Sequence, residues 1–323
     1  MHESDVLIIG AGISGLLCAK ELQQAGLRAR VVDKGRGVGG RMATRRMGGG
    51  RIDHGAQFFT VRNAQFYKHV QEWLDAGIVR EWYRTQSAPD QTESSIHYCG
   101  TSGMSDAPKH LACQLDVHCA ERILQLNREN TNWIATSESQ NVFCAQELVI
   151  TAPLPQTIQM LDTAHLDWAG DNISAFRNAR YAKGLALLAI LDGPSGLADP
   201  GAIKLGDDHV LEWIADNQMK GICPEGTVGI TAHTTAAFAE KHWDADNDVR
   251  VPLITEALQH HVHARITDWQ CHRWGFTHPL TTWHEPYYRN PEIKLTLAGD
   301  AFGGPRVEAA ALSGLAAAAQ IQA

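Results

Sequence analysis

Gly10, Gly12 and Gly15 stand in the order Gly-x-Gly-x-x-Gly between a short apolar run, Asp5–Ile9, and a stretch of helical spacing, Ser14–Ala25. That arrangement suits one chemical task, bringing backbone against a diphosphate. Gly10 permits the tight turn, Gly12 removes the Cβ that would block a phosphate, and Gly15 lets helix and strand pack closely. Ile13 and Ser14 open the helix, whose free N–H groups and positive dipole end face the anion. Asp33 ends the next apolar run, Arg28–Asp33, where it can accept hydrogen bonds from the ribose hydroxyls of an adenosine. This spacing alone does not separate a nicotinamide dinucleotide from a flavin one.

Two further segments favour a flavin. Lys34, Arg36 and Arg41 stand among glycines up to Gly40, with Met42 following. Guanidinium groups in such a loop can approach a pyrophosphate through charge-assisted hydrogen bonds. Taken alone, the loop reads as a solvated basic turn. Near the other end, an apolar run closes on Gly299-Asp300 and a helix follows. An acid there can hydrogen-bond a ribityl chain, whose far end the helix N-terminus approaches.

These residues need elements to hold them. Asp5–Ile9, Ser14–Ala25 and Arg28–Asp33 form one βαβ unit in about 30 residues. Lys34–His54 is expected to be irregular, Asn63–Gly77 a helix capped by Asn63, and 87–95 a polar loop. Ala107–Leu115 reads as a helix, then Val117–Leu126, Asn132–Thr136 and Leu148–Thr151 as strands, a run that Pro153 and Pro155 end. Beyond about Asp162 the pattern changes. Lys183–Leu191, Val210–Ala215 and Val228–Ala232 read as strands, Thr235–Trp243 and Val249–His263 as helices. Ile293–Ala298 returns to an apolar strand, and a helix runs from about Gly304 to Gln322. The fold class is α/β: a discontinuous Rossmann-type domain (residues 1–60, 105–160 and 285–323) with an inserted mixed α+β substrate domain (61–104 and 161–284).

Composition narrows the function. The chain has 323 residues, 44% hydrophobic and 20% charged, with a formal net charge of −8. That excludes disorder and argues against nucleic acid, since no basic patch interleaved with aromatics occurs. No secretory signal and no apolar run of about 18 residues is seen, so no membrane partner is expected. Seven scattered cysteines without C-x-x-C suggest neither a disulfide framework nor a zinc site, and a reducing cytoplasm fits. His260, His261 and His263 cluster at a helix end without a second ligand group, so no metal is expected.

At Gly37–Thr44, Asp53-His54-Gly55-Ala56-Gln57-Phe58-Phe59-Thr60, Gly299-Asp300 and Val307-Glu308 the chain resembles the flavin amine oxidase superfamily. The Asp53–Thr60 run is similar to renalase-like members in particular. The resemblance covers about the first 60 and last 30 residues. It implies an amine-oxidase-like two-domain fold with FAD extended along the Rossmann domain. Gly55, Ala56, Gln57 and Phe58 would lie along the flavin ring and Ile123 near adenine. Val307 and Glu308 begin the last helix by the flavin end, where Ala309 replaces a usual glycine and would shift the ring slightly. No Ser-Gly-Gly-Cys occurs and the last cysteine is Cys271, so non-covalent FAD is expected.

The resemblance implies hydride transfer from an isomeric 2- or 6-dihydronicotinamide dinucleotide to flavin N5, giving NAD(P)+, with O2 reduced to H2O2. Loss of hydride creates an aromatic cation and requires no general base, so no catalytic acid or base is assigned. A single dinucleotide fingerprint fits a flavin reduced by its own substrate. Phe59, Trp213, His233, Trp274, Phe276 and Trp283 are candidates for the substrate wall, although core packing is the ordinary fate of any one aromatic. A small-amine oxidase is the alternative enzyme, and a non-catalytic flavin-binding protein the alternative of another class. A carotenoid-type desaturase is disfavoured because no membrane-docking segment is evident.

Overall fold

The computed structural model describes residues 2–85, 95–206 and 208–322. The N-terminal apolar run becomes β1 (His2–Ile9), buried without a break from Val6 to Ile9, as a strand covered on both faces must be. α1 (Ile13–Gln24) buries Leu16, Leu17, Ala19 and Leu22, and β2 (Ala29–Val32) pairs parallel to β1. The expected βαβ unit is present. Within 34–54, however, β3 (Thr44–Met47) and β4 (Gly50–Asp53) form a hairpin turned by Gly48 and Gly49, at φ +53° and +79°. Two positive φ values are what a tight two-residue hairpin turn requires. Arg45, Arg46 and Arg51 break any apolar alternation, and the large apolar side chains buried are Met47 and Ile52, against Leu188 and Cys223.

α2 (Ala64–Asp75) is capped as expected, the Asn63 side chain accepting from Gln65 N at 2.8 Å. β5 (Val79–Thr85) and β6 (Ser95–Gly100) form a second hairpin. The polar loop expected at 87–95 lies outside the described residues up to 94. α3 (Asp106–Ala112) is followed by β7 (Asp116–His118) and β8 (Ile123–Glu129), where one strand was expected. Between them Ala120 adopts φ +59° and donates to the Gly35 carbonyl at 2.7 Å, while Glu121 N reaches the Asp33 carbonyl at 2.8 Å. The strand is broken to fasten the loop after β2. β9 (Asn132–Ser137) and β10 (Val142–Ile150) precede α4 (Leu154–Asp162). Pro153 and Pro155 start this helix, because the first turn needs no N–H from them.

β11 (Gly184–Leu191), β12 (Ala202–Lys204), β13 (Leu211–Asp216), β14 (Val228–Thr234) and, after α5 (Ala236–Lys241) and α6 (Asn247–Gln259), β15 (Ile266–Trp274) make an antiparallel sheet. Its order is β12–β13–β14–β11–β15. β15 escapes sequence reading because it is an edge strand with few buried side chains. β16 (Tyr288–Asn290) and β17 (Leu295–Leu297) rejoin the first sheet, which runs β16–β17–β10–β1–β2–β7 with β9 and then β8 attached at β10. α7 (Asp300–Gly303) and α8 (Val307–Gln322) end the described chain. α8 lies so close to α1 that a Cβ at Gly314 would overlap the Ser14 carbonyl.

The described residues of 61–104, expected in the second domain, pack against both. Phe66, Val70 and Trp73 of α2 pack with Leu16 and Leu315 in the first core. The β5–β6 hairpin instead reaches the second sheet, Trp82 Nε1 donating to the Pro200 carbonyl at 3.2 Å. Among the described residues, no helix is long and apolar enough to cross a membrane.

Candidate active site

The glycine turn, the loop after β2, the segment after β4 and the strand ends of the second sheet enclose a cavity of about 520 Å³. Gly12, Ile13 and Ser14 form one end. Arg41, Met42, Gly55, Ala56, Gly299, Asp300 and Val307 form the first-domain wall, with His233 and Trp274 facing them. These twelve were all anticipated from the sequence. Asp33 stands behind the turn and organises it, its carboxylate accepting from Ala11 N at 2.7 Å and Gly35 N at 2.6 Å. A carboxylate oxygen has further lone pairs, so both oxygens can still accept a ribose hydroxyl.

Arg41 was expected at a pyrophosphate, but the structure gives its guanidinium to Asp300. The two form a forked ion pair, with Nη2 at 2.8 Å from Oδ1, and Nη1 also donates to the Thr277 carbonyl at 3.2 Å. Asp300 therefore anchors α7 to the loop of Arg41, a contact between positions 259 apart in the chain. Tyr181 donates to the same carboxylate at 3.4 Å, and burial, then the charge of Asp300, push its phenol pKa up.

Other expectations need correction. Phe59 is 3% exposed and stacks on Tyr98 within the first core, because alternate residues of the extended segment face opposite ways. Phe58 takes the other side, against His97 and Trp213. Phe276 lies outside the cavity lining, its ring edge-on to Tyr181, and Trp283 packs on Phe176. Gln57 turns its amide back on its own segment, Nε2 donating to the Asp53 carbonyl at 2.7 Å. Glu308 is buried and accepts from Arg62 N and Asn63 N at 2.6 and 2.7 Å, tying the entry of α2 to α8. Lys34 reaches Gln156 at 2.9 Å, and Arg36 is exposed. Ile123 is buried at the start of β8, and Gly40 sits at φ +52° with its Cβ position open towards Gly12. Ala309 is buried outside the lining, where Ala310 stands instead, so its methyl does not reach a ring in the cavity.

Residues 8–76 match the family of NAD(P)-binding Rossmann-like domains, and residues 81–322 match that of flavin-containing amine oxidoreductases. The chain belongs to the flavin-containing amine oxidoreductases. Its fold is similar to that of putrescine oxidase bound to putrescine, at TM-score 0.74 and 14% identity over 99% of both chains. It is equally similar to cyclohexylamine oxidase from Brevibacterium oxydans IH-35A, at TM-score 0.74 and 14% identity over 99% of this chain and 98% of that one. A curated relative, acetone monooxygenase (methyl acetate-forming) from Gordonia sp. (strain TY-5), is 23% identical over 192 residues. The match takes in 54% of this chain, which thus spans about a third (33%) of that relative.

A flavin cofactor follows from membership of the flavin-containing amine oxidoreductases, and the cavity fits one. A Cβ at Gly12 would meet no protein atom within 4 Å, leaving the turn open to a phosphate. The Ser14 hydroxyl in the first turn of α1 is buried without a partner in the protein. Gly55 is wedged so tightly between the Arg41 carbonyl and Trp274 that any Cβ would overlap the former, which lets bare backbone form the wall. No cysteine lines the cavity among the described residues.

Sequence reasoning missed a layer behind this wall. Lys220 and Asp53 form a fully buried ion pair at 2.7 Å, and Lys220 also donates to the Gln57 carbonyl at 2.5 Å. A lone lysine in a polar turn gives no local sign of that role. His272, also missed, packs with His54 and Trp274, the His54 ring centroid lying 4.9 Å from that of His272 and 5.1 Å from that of Trp274. Burial is the main cause that lowers His54 to about 3 and His233 to about 4, and it lowers His272 too. Above the ordinary histidine pKa all three are neutral in both folded and unfolded chains. Below it the unfolded chain takes up protons that the folded one refuses, so stability falls with pH. Thermal midpoints measured from about pH 7 down to about pH 4 should decline, and His272→Gln should flatten the decline. An unchanged slope in that variant would remove His272 from the account.

Proposed function

We propose that this chain holds FAD non-covalently and oxidises 2- or 6-dihydronicotinamide dinucleotides to NAD(P)+, with O2 reduced to H2O2. The observation that carries the reading is the Asp53–Thr60 run, because its Gly55 and Ala56 line the cavity beside His233 and Trp274. A bound flavin supplies the hydride acceptor and passes the electrons to oxygen. Around it, Gly10–Gly15 and Asp33 would take the adenosine diphosphate half, and Gly299, Asp300 and Val307 the flavin half. Trp274 supplies a flat apolar surface for a pyridine ring. Oxidising a dihydropyridine removes hydride and no proton, which suits a wall whose His233 is a weak base held neutral by burial. Glu212, also in the lining, carries no ion-pair partner among the described residues and offers negative charge to the cationic ring being formed.

The domain division given above, with 61–104 as a bridge, belongs to this proposal. So does a cytoplasmic location, supported by free cysteines throughout the described residues.

A small-amine oxidase is the second reading. Glu212 would attract an ammonium group, and the fold is similar to that of putrescine and cyclohexylamine oxidases. Anaerobic mixing separates the two. We expect flavin absorbance to bleach at about the turnover rate with a 2- or 6-dihydronicotinamide dinucleotide, and to persist with putrescine or cyclohexylamine. Bleaching by the amines alone reverses the order of the readings, and bleaching by neither class leaves a non-catalytic flavin-binding protein.

A further inference from the structure

We propose that His233 identifies the substrate through Nδ1, which accepts a hydrogen bond from the carboxamide N–H of the dihydronicotinamide. The proposal rests on the functional reading above and adds the group that orients the ring.

The tautomer follows from the partner on the other nitrogen. His233 Nε2 lies 3.3 Å from the His54 carbonyl oxygen, which also accepts from Trp274 Nε1 at 2.8 Å. A carbonyl oxygen only accepts, so Nε2 carries the hydrogen. Burial keeps the imidazole neutral, at about 4, and a neutral ring has one N–H. Nδ1 is therefore a bare lone pair. It has no partner among the described residues, yet it is absent from the sealed, unpartnered atoms, which include His54 Nδ1 and Trp213 Nε1. An atom of the lining that is neither bonded nor sealed opens on the cavity.

The neighbouring wall has the same polarity. Glu212, on the adjoining strand β13, adds a carboxylate that only accepts. Leu185 and Trp274 supply the apolar remainder. Such a wall asks its ligand for N–H donors. A carboxamide brings two on a flat group attached to the ring that must lie against the flavin. A ligand without the donor leaves Nδ1 desolvated and unpaired, which is the costly outcome.

Two substitutions separate this role from the clamp on His54. In His233→Gln the side-chain amide reaches the position of Nε2 and can still donate to the His54 carbonyl, but the acceptor at Nδ1 is gone. In His233→Asn the amide oxygen stands near Nδ1, while the clamp is lost. Each is assayed with 6-dihydronicotinamide dinucleotide and with its 3-acetylpyridine counterpart, which lacks the N–H. Wild type should prefer the carboxamide by about tenfold in KM, the scale of one hydrogen bond plus its unpaired partner. His233→Gln should lose that preference with flavin content little changed, and His233→Asn should recover it. An equal rise in KM for both substrates in His233→Gln, or a loss of preference in His233→Asn alone, overturns the role of Nδ1 while leaving the oxidase reading in place. If wild type oxidises neither substrate, the functional reading falls and the carboxamide assignment falls with it.

Discussion

Lys220→Met is expected to destabilise the fold by about 3–5 kcal/mol, the range for removing one partner of a buried ion pair. Neither side chain of the Lys220–Asp53 pair reaches solvent. Asp53 is also the convergence point of the surrounding chain. Its carboxylate accepts from Thr44 Oγ1 at 2.6 Å and Met104 N at 2.9 Å, and its carbonyl accepts from Thr231 Oγ1 at 2.7 Å. Lys220 in turn lies 4.7 Å from the centre of the Trp82 ring and holds the Gln57 carbonyl. Methionine fills most of the volume but leaves a carboxylate in a site with no water to solvate it. Neutral hydroxyl and amide donors remain, and they do not replace a full charge. Urea unfolding of the flavin-loaded and flavin-free proteins measures the loss. The double variant Asp53→Asn, Lys220→Met should recover a large part of it, because no unpaired charge then remains. A loss below about 1 kcal/mol in the single variant would mean that the pair contributes as a surface pair does.

The pair also helps to hold the Asp53–Thr60 segment in place. Gln57 is held by Lys220, the His54 carbonyl by His233 and Trp274, and Ala56 N by the Arg41 carbonyl at 2.8 Å. Three residues of the segment, His54, Ala56 and Gln57, are thus fixed through backbone atoms by partners from other elements. Their side chains alone do not account for the resemblance that Asp53–Thr60 carries. The backbone path does, and the second domain supplies much of what holds it.

Legibility in the sequence follows the same division. The glycine turn and Asp33 could be read because strand, turn, helix and acid fall within 33 residues and each constrains the next. Met42 and Val307 were reached through motif resemblance, and both line the cavity. The Arg41–Asp300 pair could not be read as a pair, since each residue looked directed at the cofactor and nothing local links positions 259 apart. Phe59 was misplaced for a simpler reason. In an extended segment one residue of register decides which way a side chain faces, and neither Phe58 nor Phe59 lines the cavity. β3, β4 and β15 were missed because their arginines and exposed side chains suppress the alternation by which strands are recognised.

Gly15→Ala is expected to cause the largest loss of flavin, and comparison with Gly12→Ala identifies the cause. The new methyl at position 15 would overlap the Gly10 carbonyl oxygen. That oxygen cannot withdraw easily, because it accepts from Thr151 Oγ1 at 3.2 Å while Gly10 N is tied to the Val32 carbonyl at 2.8 Å. α1 must therefore lift from β1, yet its far side is already pressed on α8 at Gly314. Overpacking of this kind costs about 1–3 kcal/mol and displaces the helix N-terminus that faces the phosphates. At position 12 the methyl meets no protein atom and projects from the turn, so the flavin-free protein should unfold at the wild-type urea concentration. Both variants should be purified with at least about tenfold less flavin, but only Gly15→Ala should lose stability without it. Gly37→Ala, in the loop after β2 with open space around it and no left-handed φ, should change neither quantity. Full flavin content in Gly12→Ala would mean that no phosphate approaches the turn there, and the dinucleotide would have to be placed elsewhere along the cavity.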